Sequence, residues 1–347
     1  MSELRIALMP GDGIGPEVTA AAVHVLRAVE AHSDDLVLAF ETLSVGAGEF
    51  LESGDPLSDA TLERAKEYDA VLLGAMGLPD VRWPDGTEMT PQLDIRERLD
   101  LYQGIRPVRL QHPDLTPLRG AERASVDLVI YRENTEGLFW DRKGRYDPQA
   151  AYVDNAMRIS RRGAERIMRA AFEAAGRRRG HVTLVDKANV LPAMAFFRTV
   201  FDAVAEEYPE IETSRVYVDA AALYLVLEPQ RFDVIVTENM FGDILSDLTA
   251  GIVGGMGMAP SADIGDDYGV FQPAHGSAPD IAGRGIANPI ATILSAAMMM
   301  DWLGREAEGD SVRTAVQLAL RDPSCRTPDL GGTTSCSEMA DAVVSQI

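Results

Sequence analysis

The sequence has few cysteines, few lysines and no long apolar run, and each shortage excludes a class of protein. Two cysteines among 347 residues are too few for a disulfide framework or a zinc set. The apolar residues 293–300 are too short a stretch to cross a bilayer, and Asp301 ends it. Residues 1–5 lack the architecture of a signal peptide. Together these shortages predict a cytoplasmic protein with no membrane partner.

Positive charge is also scarce. Lys and Arg total 32 against 54 Asp and Glu, which gives a net charge of −22. This balance argues against a nucleic-acid partner, because no basic excess is present to release counterions from phosphates. High net charge favours solubility, and adaptation to high salt stays open as a second explanation.

Only three of the cations are lysines, namely Lys66, Lys143 and Lys187. Arginine cannot give up its proton, whereas a buried lysine can. A lysine kept among so many arginines is therefore a candidate general base. The alternative is compositional drift towards arginine, and we favour it for Lys66 and Lys143.

Short apolar segments alternate with helical ones along the chain. The sequence predicts strands at residues 4–9, 70–74, 126–132, 182–185 and 232–236, and helices at 163–175, 193–208 and 220–227. Such alternation is typical of an α/β fold with a largely parallel sheet. The chain is too long for one compact core, and no linker marks a boundary. We therefore expect two domains built from discontinuous segments.

Two aspartates, Asp243 and Asp247, stand four residues apart in an apolar helical run. At this spacing both carboxylates project from one helix face and repel each other unless a cation lies between them. The alternative is a solvated helix edge. Asp219, after a strand-like segment, is either a helix N-cap or a third ligand. Oxygen ligands without nearby His or Cys favour Mg²⁺ or Mn²⁺.

Three arginines, Arg96, Arg106 and Arg132, form a possible anion site. Guanidinium forks bind carboxylates bidentately, so the three could hold a di- or tricarboxylate. The alternative is ordinary surface ion pairing. It fits Arg132 least well, because that residue ends a strand of mostly apolar residues.

A stretch rich in small residues, 274–289, precedes a predicted helix and lets backbone N–H groups approach an anion closely. Within it, Asp280 could bind ribose hydroxyls, as the acidic residue of NAD sites does. The N-terminal Gly11, Gly13 and Gly15 do not fit the G-x-G-x-x-G spacing and alone indicate only a tight strand-to-helix turn.

Taken together, these segments resemble the metal-dependent β-decarboxylating dehydrogenases, which include isocitrate, 3-isopropylmalate, homoisocitrate and tartrate/D-malate dehydrogenases. The resemblance runs from residue 10 to residue 332, and its most specific parts are residues 238–247 and 275–289. It implies two open α/β domains. The larger, dinucleotide-binding domain would comprise residues 1–101 and 256–347. The smaller domain, with the metal, substrate and dimer contacts, would comprise residues 102–255.

The resemblance also implies roles for individual residues. Asp243 and Asp247 would bind the metal in one subunit of a homodimer, and Asp219 and the general base Lys187 would come from the other. The three arginines would clamp a malate moiety, with Thr90 and Gln92 reading its C3 substituent. The residues implied to line the dinucleotide are His275, Gly276, Ser277, Ala278, Asp280, Ile281 and Asn288. The carboxylate of Asp280 implies NAD, because it would repel a 2′-phosphate.

The implied reaction is the oxidative decarboxylation of a C3-substituted or C3-hydroxylated (2R)-malate. Neutral Lys187 would take the C2 hydroxyl proton, hydride would pass to the nicotinamide, and CO₂ would leave.

One residue departs from the family pattern. Phe139 stands where the family commonly has a tyrosine proposed to protonate the enol. Tyr131 should point to the opposite face of its strand, and Tyr224 stays open as a donor. Two alternative functions also stay open, namely a non-catalytic regulatory subunit and a dehydrogenase that does not decarboxylate.

Overall fold

The structure is a computed structural model that describes residues 2–119, 126–144 and 147–347. In chain order its longer elements are β1 (Ser2–Gly11), α1 (Gly15–Ala31), β2 (Leu36–Thr42), α2 (Ala47–Ser53), α3 (Asp59–Ala65), β3 (Ala70–Ala75), α4 (Pro91–Arg98), β4 (Gln103–Arg109), β5 (Asp127–Glu133), α5 (Arg161–Gly176), β6 (His181–Asp186), α6 (Pro192–Ala205), β7 (Glu212–Tyr217), α7 (Val218–Leu227), β8 (Val234–Thr237), α8 (Asn239–Ile252), β9 (Pro260–Ile264), β10 (Gly269–Pro273), α9 (Ile290–Trp302), α10 (Glu306–Ala319) and α11 (Cys336–Val344). The predicted α/β class is confirmed.

The first compact unit comprises the described residues of Met1–Leu101, Leu110–Pro117 and Val253–Ile347. Its strands pair in the order β2-β1-β3-β10-β9. All of these pairs are parallel except β10 with β9. The fully buried β3 follows from its uninterrupted apolar sequence, which is what a parallel strand covered on both faces requires.

The second compact unit comprises the described residues of Tyr102–Arg109 and Leu118–Ile252. Its strands pair in the order β4-β5-β8-β6-β7, and only β4 with β5 is antiparallel. A hydrophobic core lies between these strands and the helices α5 and α6. It includes Phe172 of α5, Phe197 of α6 and Val236 of β8. The assignment of dinucleotide binding and dimerisation to particular domains stays a prediction.

The N-terminal glycine run forms a tight junction inside the first unit. Gly13 has a φ of +61°, and a Cβ there would lie 2.0 Å from the carbonyl oxygen of Ser277. The Asp12 carboxylate accepts hydrogen bonds from the backbone N–H groups of Ala47, Gly48 and Gly77 at 2.7–2.8 Å. This junction therefore supports the loop that contains Ser277, and it confirms the predicted strand-to-helix turn.

Among the described residues, no helix has both the length and the apolarity needed to cross a membrane.

Candidate active site

Helix α8 carries the two predicted metal ligands of the second unit. The Glu238 carboxylate accepts a hydrogen bond from the Phe241 N–H at 2.7 Å and so caps the start of the helix. Phe241 and Leu245 are buried in the unit. Asp243 and Asp247 therefore lie on a different face, one turn apart. The sequence pattern thus places both carboxylates as predicted.

Arg132, next to the last residue of β5, reaches this helix. Its Nε and Nη2 donate to Asn239 Oδ1 at 2.9 and 2.6 Å, and its Nη1 donates to Asp243 Oδ1. A Cβ on Gly242 would lie 2.7 Å from the Arg132 side chain. Only glycine at position 242 lets the helix pass this closely. The arginine that is predicted to bind the substrate is therefore in direct contact with one of the carboxylates that are predicted to bind the metal.

The surroundings of Asp247 favour a cation. Burial raises the pKa of the Asp247 carboxyl, and the negative charge of Asp243 raises it further, while Arg106 and Arg132 act in the opposite direction. A divalent ion between the two carboxylates would relieve their repulsion, and carboxylate oxygens suit Mg²⁺ or Mn²⁺. The residues present therefore fit such an ion.

The third predicted ligand, Asp219, pairs with the predicted base. It lies in the first turn of α7, whose N-cap is Tyr217, so the alternative that Asp219 is a helix cap is wrong. Lys187 Nζ donates to Asp219 Oδ1, and this hydrogen bond lowers the pKa of the Asp219 carboxyl. Within the described part of a single chain, no three His, Cys, Asp or Glu side chains are grouped to hold a metal. Completion of the site by a second subunit stays a prediction.

The position of Lys187 is fixed by the residue before it. Asp186 is fully buried at the end of β6, accepts two hydrogen bonds from Arg198 at 2.7 Å, and accepts the Ala188 N–H at 3.0 Å. Lys187 therefore projects from a rigid turn.

The other predicted substrate residues lie on two different units. Arg106 is buried on β4. Arg96 is on α4 of the first unit, where its Nε donates to the fully buried Asp263 at 2.7 Å. Thr90 precedes that helix, and none of the described residues bonds to the buried Gln92 Oε1. Surface ion pairing, the alternative for Arg96, is therefore wrong, because its partner is buried.

The predicted dinucleotide segment is the loop between β10 and α9 in the first unit. Asn288 Oδ1 accepts the Ile290 N–H at 3.0 Å and helps to start α9, and its Nδ2 donates to Asp329 at 3.0 Å. Ser277 donates to the carbonyl of Gly77, and Ala278 has a φ of +39°. Gly276 and Asp280 are exposed, while Ile281 packs against the unit's apolar residues. The loop is thus anchored at both ends and open in its middle.

His275 in this loop has an acceptor nitrogen that none of the described residues uses. Its Nδ1 lies 2.9 Å from the carbonyl oxygen of Gly276, which identifies Nδ1 as the protonated nitrogen, and burial lowers the pKa of the ring. The ring is then neutral with Nε2 as an acceptor. Nε2 is buried, and none of the described residues donates to it. A ligand hydroxyl such as one from a ribose fits this atom.

Which group replaces the missing hydroxyl at position 139 stays a prediction. The Phe139 ring lies over the Arg132 guanidinium at 5.4 Å, so position 139 faces the arginine that is predicted to bind the substrate. Tyr131 is buried in the core of the second unit, where burial raises the pKa of its hydroxyl. The ring of Tyr224 packs under Arg231 at 4.1 Å.

Two residues of this site were not singled out from the sequence. Asn239 holds Arg132, and its spacing of four residues before Asp243 was the signal that could have identified it. Glu133 follows Arg132 and is fully buried. It accepts hydrogen bonds from the Thr135 hydroxyl at 2.7 Å and from the Glu136 N–H at 2.6 Å. Nothing in the sequence distinguishes Glu133 from a solvated acid.

A family model described as isocitrate/isopropylmalate dehydrogenase matches residues 5–343. A 3-isopropylmalate dehydrogenase of Zymomonas mobilis is 43% identical over 354 residues, covering 99% of this chain and 100% of the relative. An isocitrate/homoisocitrate dehydrogenase of Thermus thermophilus is 45% identical over 346 residues, covering 99% of this chain and 98% of the relative.

Solved structures show the same similarity. The crystal structure of isocitrate dehydrogenase from Methylococcus capsulatus matches with a TM-score of 0.89 and 38% identity, covering 99% of both chains. A β-decarboxylating dehydrogenase from Thermococcus kodakarensis matches with a TM-score of 0.81 and 39% identity, covering 99% of this chain and 96% of that one. These matches confirm the resemblance and the fold class predicted from the motifs.

Glu133 predicts a pH dependence of stability. Burial raises its pKa from 4.5 to about 7, against the hydrogen bonds that lower it. A carboxyl with a raised pKa contributes stability below its unfolded pKa and loses it as pH rises through the folded value. A shift of this size corresponds to at most roughly 3–4 kcal/mol. In urea titrations from pH 5 to 8.5, we expect Glu133→Gln to flatten the decline in the free energy of unfolding.

Glu173→Gln, at an exposed position on α5, is the matched control and should keep the wild-type slope. An unchanged slope in Glu133→Gln would contradict the assignment.

Proposed function

The chain belongs to the isocitrate/isopropylmalate dehydrogenase family of oxidoreductases, and from this premise we propose that it oxidises and decarboxylates a C3-substituted (2R)-malate with NAD and Mg²⁺ or Mn²⁺. The observation that carries the proposal is the direct contact between Arg132 and Asp243, with Asp247 one turn further along α8. A guanidinium fork beside paired carboxylates suits a substrate carboxylate bound next to a divalent cation.

The substrate class rests on charge and on the named relatives. Arg106 and Arg132 offer forks for carboxylates, while Thr90 and Gln92 precede or begin α4 as polar residues suited to a polar C3 substituent. The relatives are named as 3-isopropylmalate and isocitrate/homoisocitrate dehydrogenases, all of which act on substituted malates. An experiment therefore has to identify the C3 substituent of the substrate.

The cofactor assignment rests on the loop between β10 and α9. The acceptor His275 Nε2 suits a ribose hydroxyl, and the exposed carboxylate of Asp280 disfavours a 2′-phosphate. Asn288, Ser277 and Ala278 fix the loop that surrounds these two side chains. These features support NAD rather than NADP.

Each of the chain's own residues has a separate role in the proposed reaction. When bound, NAD would supply the hydride acceptor, and a divalent ion held by Asp243 and Asp247, with Asp219 of the second subunit, would supply the positive charge that polarises the C2 oxygen. Arg132 and Arg106 hold the carboxylates, and Lys187 from the second subunit removes the C2 hydroxyl proton. Asp219 keeps Lys187 in place through their hydrogen bond. After CO₂ leaves, the enol takes its proton from water or from a residue other than Phe139, which has no hydroxyl.

Homodimer formation is supported by an exposed apolar surface on the second unit. Leu223 and Leu227 on α7 are 54% and 56% exposed, and Ile244 on α8 is 58% exposed. Apolar side chains clustered in this way favour burial against another protein surface. The same two helices carry Asp219 and Asp247, so pairing through them would bring ligands of two subunits together.

The proposal predicts NADH formation by the purified protein with Mg²⁺ or Mn²⁺ and one of five substrates: 3-isopropylmalate, isocitrate, homoisocitrate, D-malate or tartrate. EDTA should abolish the activity, and Asp247→Asn should reduce it at least about 10²-fold because it removes a ligand charge. One CO₂ should be trapped for each NADH. NADH without CO₂ would indicate the dehydrogenase that does not decarboxylate. No activity with any of the five, while NAD still binds, would indicate another malate derivative or a chain that keeps the site without using it.

Phe139→Tyr should raise turnover, because it places a phenol beside Arg132 where the enol needs a proton. A positioned acid contributes roughly 10²–10⁴-fold to such a step. The measurements are kcat and the ratio of CO₂ to NADH. Trp140→Tyr, which adds a phenol at the half-exposed neighbouring position, is the control and should have no effect. If Phe139→Tyr leaves kcat and the ratio unchanged, enol protonation does not limit the reaction.

The double variant Leu223→Glu/Leu227→Glu should be monomeric and inactive, because like charges would face each other across the proposed interface while Lys187 and Asp219 would no longer reach a second site. Light scattering coupled to size exclusion gives the mass, and the NADH assay gives the activity. Leu51→Glu, at an exposed position on α2, should stay dimeric and active. An active monomer would refute shared sites.

A further inference from the structure

A groove in the first unit lies between helices α1 and α11. Cys336, at the start of α11, donates from Sγ to the carbonyl oxygen of Glu17 at 3.7 Å, and further along both helices His24 Nε2 lies 2.9 Å from Asp341 Oδ1. The two helices therefore run side by side in the same direction. Glu17 and His24 are two turns apart on α1, so the groove extends for about 10 Å along that helix.

Small side chains leave this groove open. Ala20 and Ala21 on α1 and Ala340 on α11 line a cavity of about 320 Å³. This volume lies at the lower end of the range of roughly 300–1,000 Å³ that small-molecule sites occupy. None of the residues predicted to line the dinucleotide, all of which the structure describes, lines this cavity, although Gly285 of the same loop does. The cavity is therefore a feature of the first unit that the proposed reaction does not use.

The charge of the groove is negative. Glu17 and Asp341 supply two carboxylates, and none of the described residues that line the cavity is Lys or Arg. The thiol of Cys336 adds no charge, because burial raises its pKa to about 12. Carboxylates repel anions and attract cations, so this lining favours a positively charged ligand.

Glu17 has a buried acceptor oxygen that none of the described residues uses. The backbone N–H of Gly285 donates to the Glu17 carboxylate, but Oε1 has no donor among the described residues. Burial raises the pKa of this carboxyl, and the hydrogen bond from Gly285 acts in the opposite direction. A buried carboxylate oxygen without a partner costs free energy that a donor would recover. The last torsion of a glutamate side chain is broad, so a small rotation turns Oε1 towards a donor in the cavity.

We propose that the groove between α1 and α11 binds a small organic cation, namely a primary ammonium group on an apolar body. The ammonium donates a charge-assisted hydrogen bond to Glu17 Oε1, and the apolar body lies against the alanines of the two helices. A groove about 10 Å long suits a body the size of a phenylbutyl group. No covalent bond forms, because the Cys336 thiol is neutral and donates to the carbonyl oxygen of Glu17.

The first test is calorimetric titration of the whole chain, without NAD, metal or hydroxy acid, so its outcome is independent of the proposed function. The ligands share one body: phenylbutylammonium, phenylbutanol and phenylbutyrate. The ammonium should bind at least about 10-fold more tightly than the alcohol, because hydrogen bonds to charged groups are the stronger ones, and the carboxylate should bind most weakly. Equal affinities for the ammonium and the alcohol, or binding of none of the three, would overturn the proposal.

Variants separate the groove from the general negative charge of the chain. Glu17→Gln should weaken phenylbutylammonium at least about 10-fold, whereas Glu52→Gln, which removes an equal charge from an exposed position on α2, should not change the affinity. Equal losses in these two variants would mean non-specific attraction to a chain with a net charge of −22 and would overturn the site.

Ala20→Leu keeps the test usable if Glu17→Gln does not fold. It changes no charge and fills the groove from an exposed helical position, so it should weaken the ammonium and the alcohol alike. Unchanged affinity for phenylbutylammonium in Ala20→Leu would place the ligand elsewhere and overturn the assignment to this groove.

Discussion

The buried guanidinium of Arg132 is the constraint on which the rest of the second unit's site depends. A charge removed from water must be paired and hydrogen-bonded or it destabilises the fold. Asn239 and Asp243 meet this requirement from the first two turns of α8, and Gly242 allows the helix to approach closely enough. The end of β5 and the start of α8 are therefore tied together. That tie sets the direction in which Asp247 projects and places Phe139 over the arginine.

Around this contact, burial and neighbouring charges act in opposite directions on the carboxyl groups. Burial and the charge of Asp243 raise the pKa of Asp247, while the arginines act against that rise. One residue beyond Arg132, burial raises the pKa of Glu133 to about 7. Perturbed carboxyls of this kind cluster where a protein binds charged ligands. In a chain with a net charge of −22, a few buried arginines thus control the local field.

Local sequence signals predicted the strands β1, β3, β5, β6 and β8 and the helices α5, α6 and α7, and the differences in helix bounds have physical causes. The helix predicted at 193–208 ends at Ala205, because Tyr208 precedes a proline and residues before proline disfavour the helical region. The helix predicted at 220–227 begins at Val218, which places Asp219 inside the first turn and frees it to pair with Lys187. Hydrophobic periodicity identified both helices. Where each helix begins or ends also depends on the residues next to it, which the periodicity does not describe.

The α/β class, the family and the presentation of Asp243 and Asp247 on one helix face follow from the order of the amino acids alone, because alternation, motif spacing and helical geometry are local properties. Which partner each charged residue has depends on the three-dimensional fold. Arg96 pairs with a buried aspartate 167 positions away, Arg132 with an asparagine 107 positions away, and His275 keeps an acceptor that none of the described residues uses. Such pairings depend on which segments the fold brings within hydrogen-bonding distance and which side chains it removes from water. The spacing of residues along the chain determines neither the proximity nor the burial.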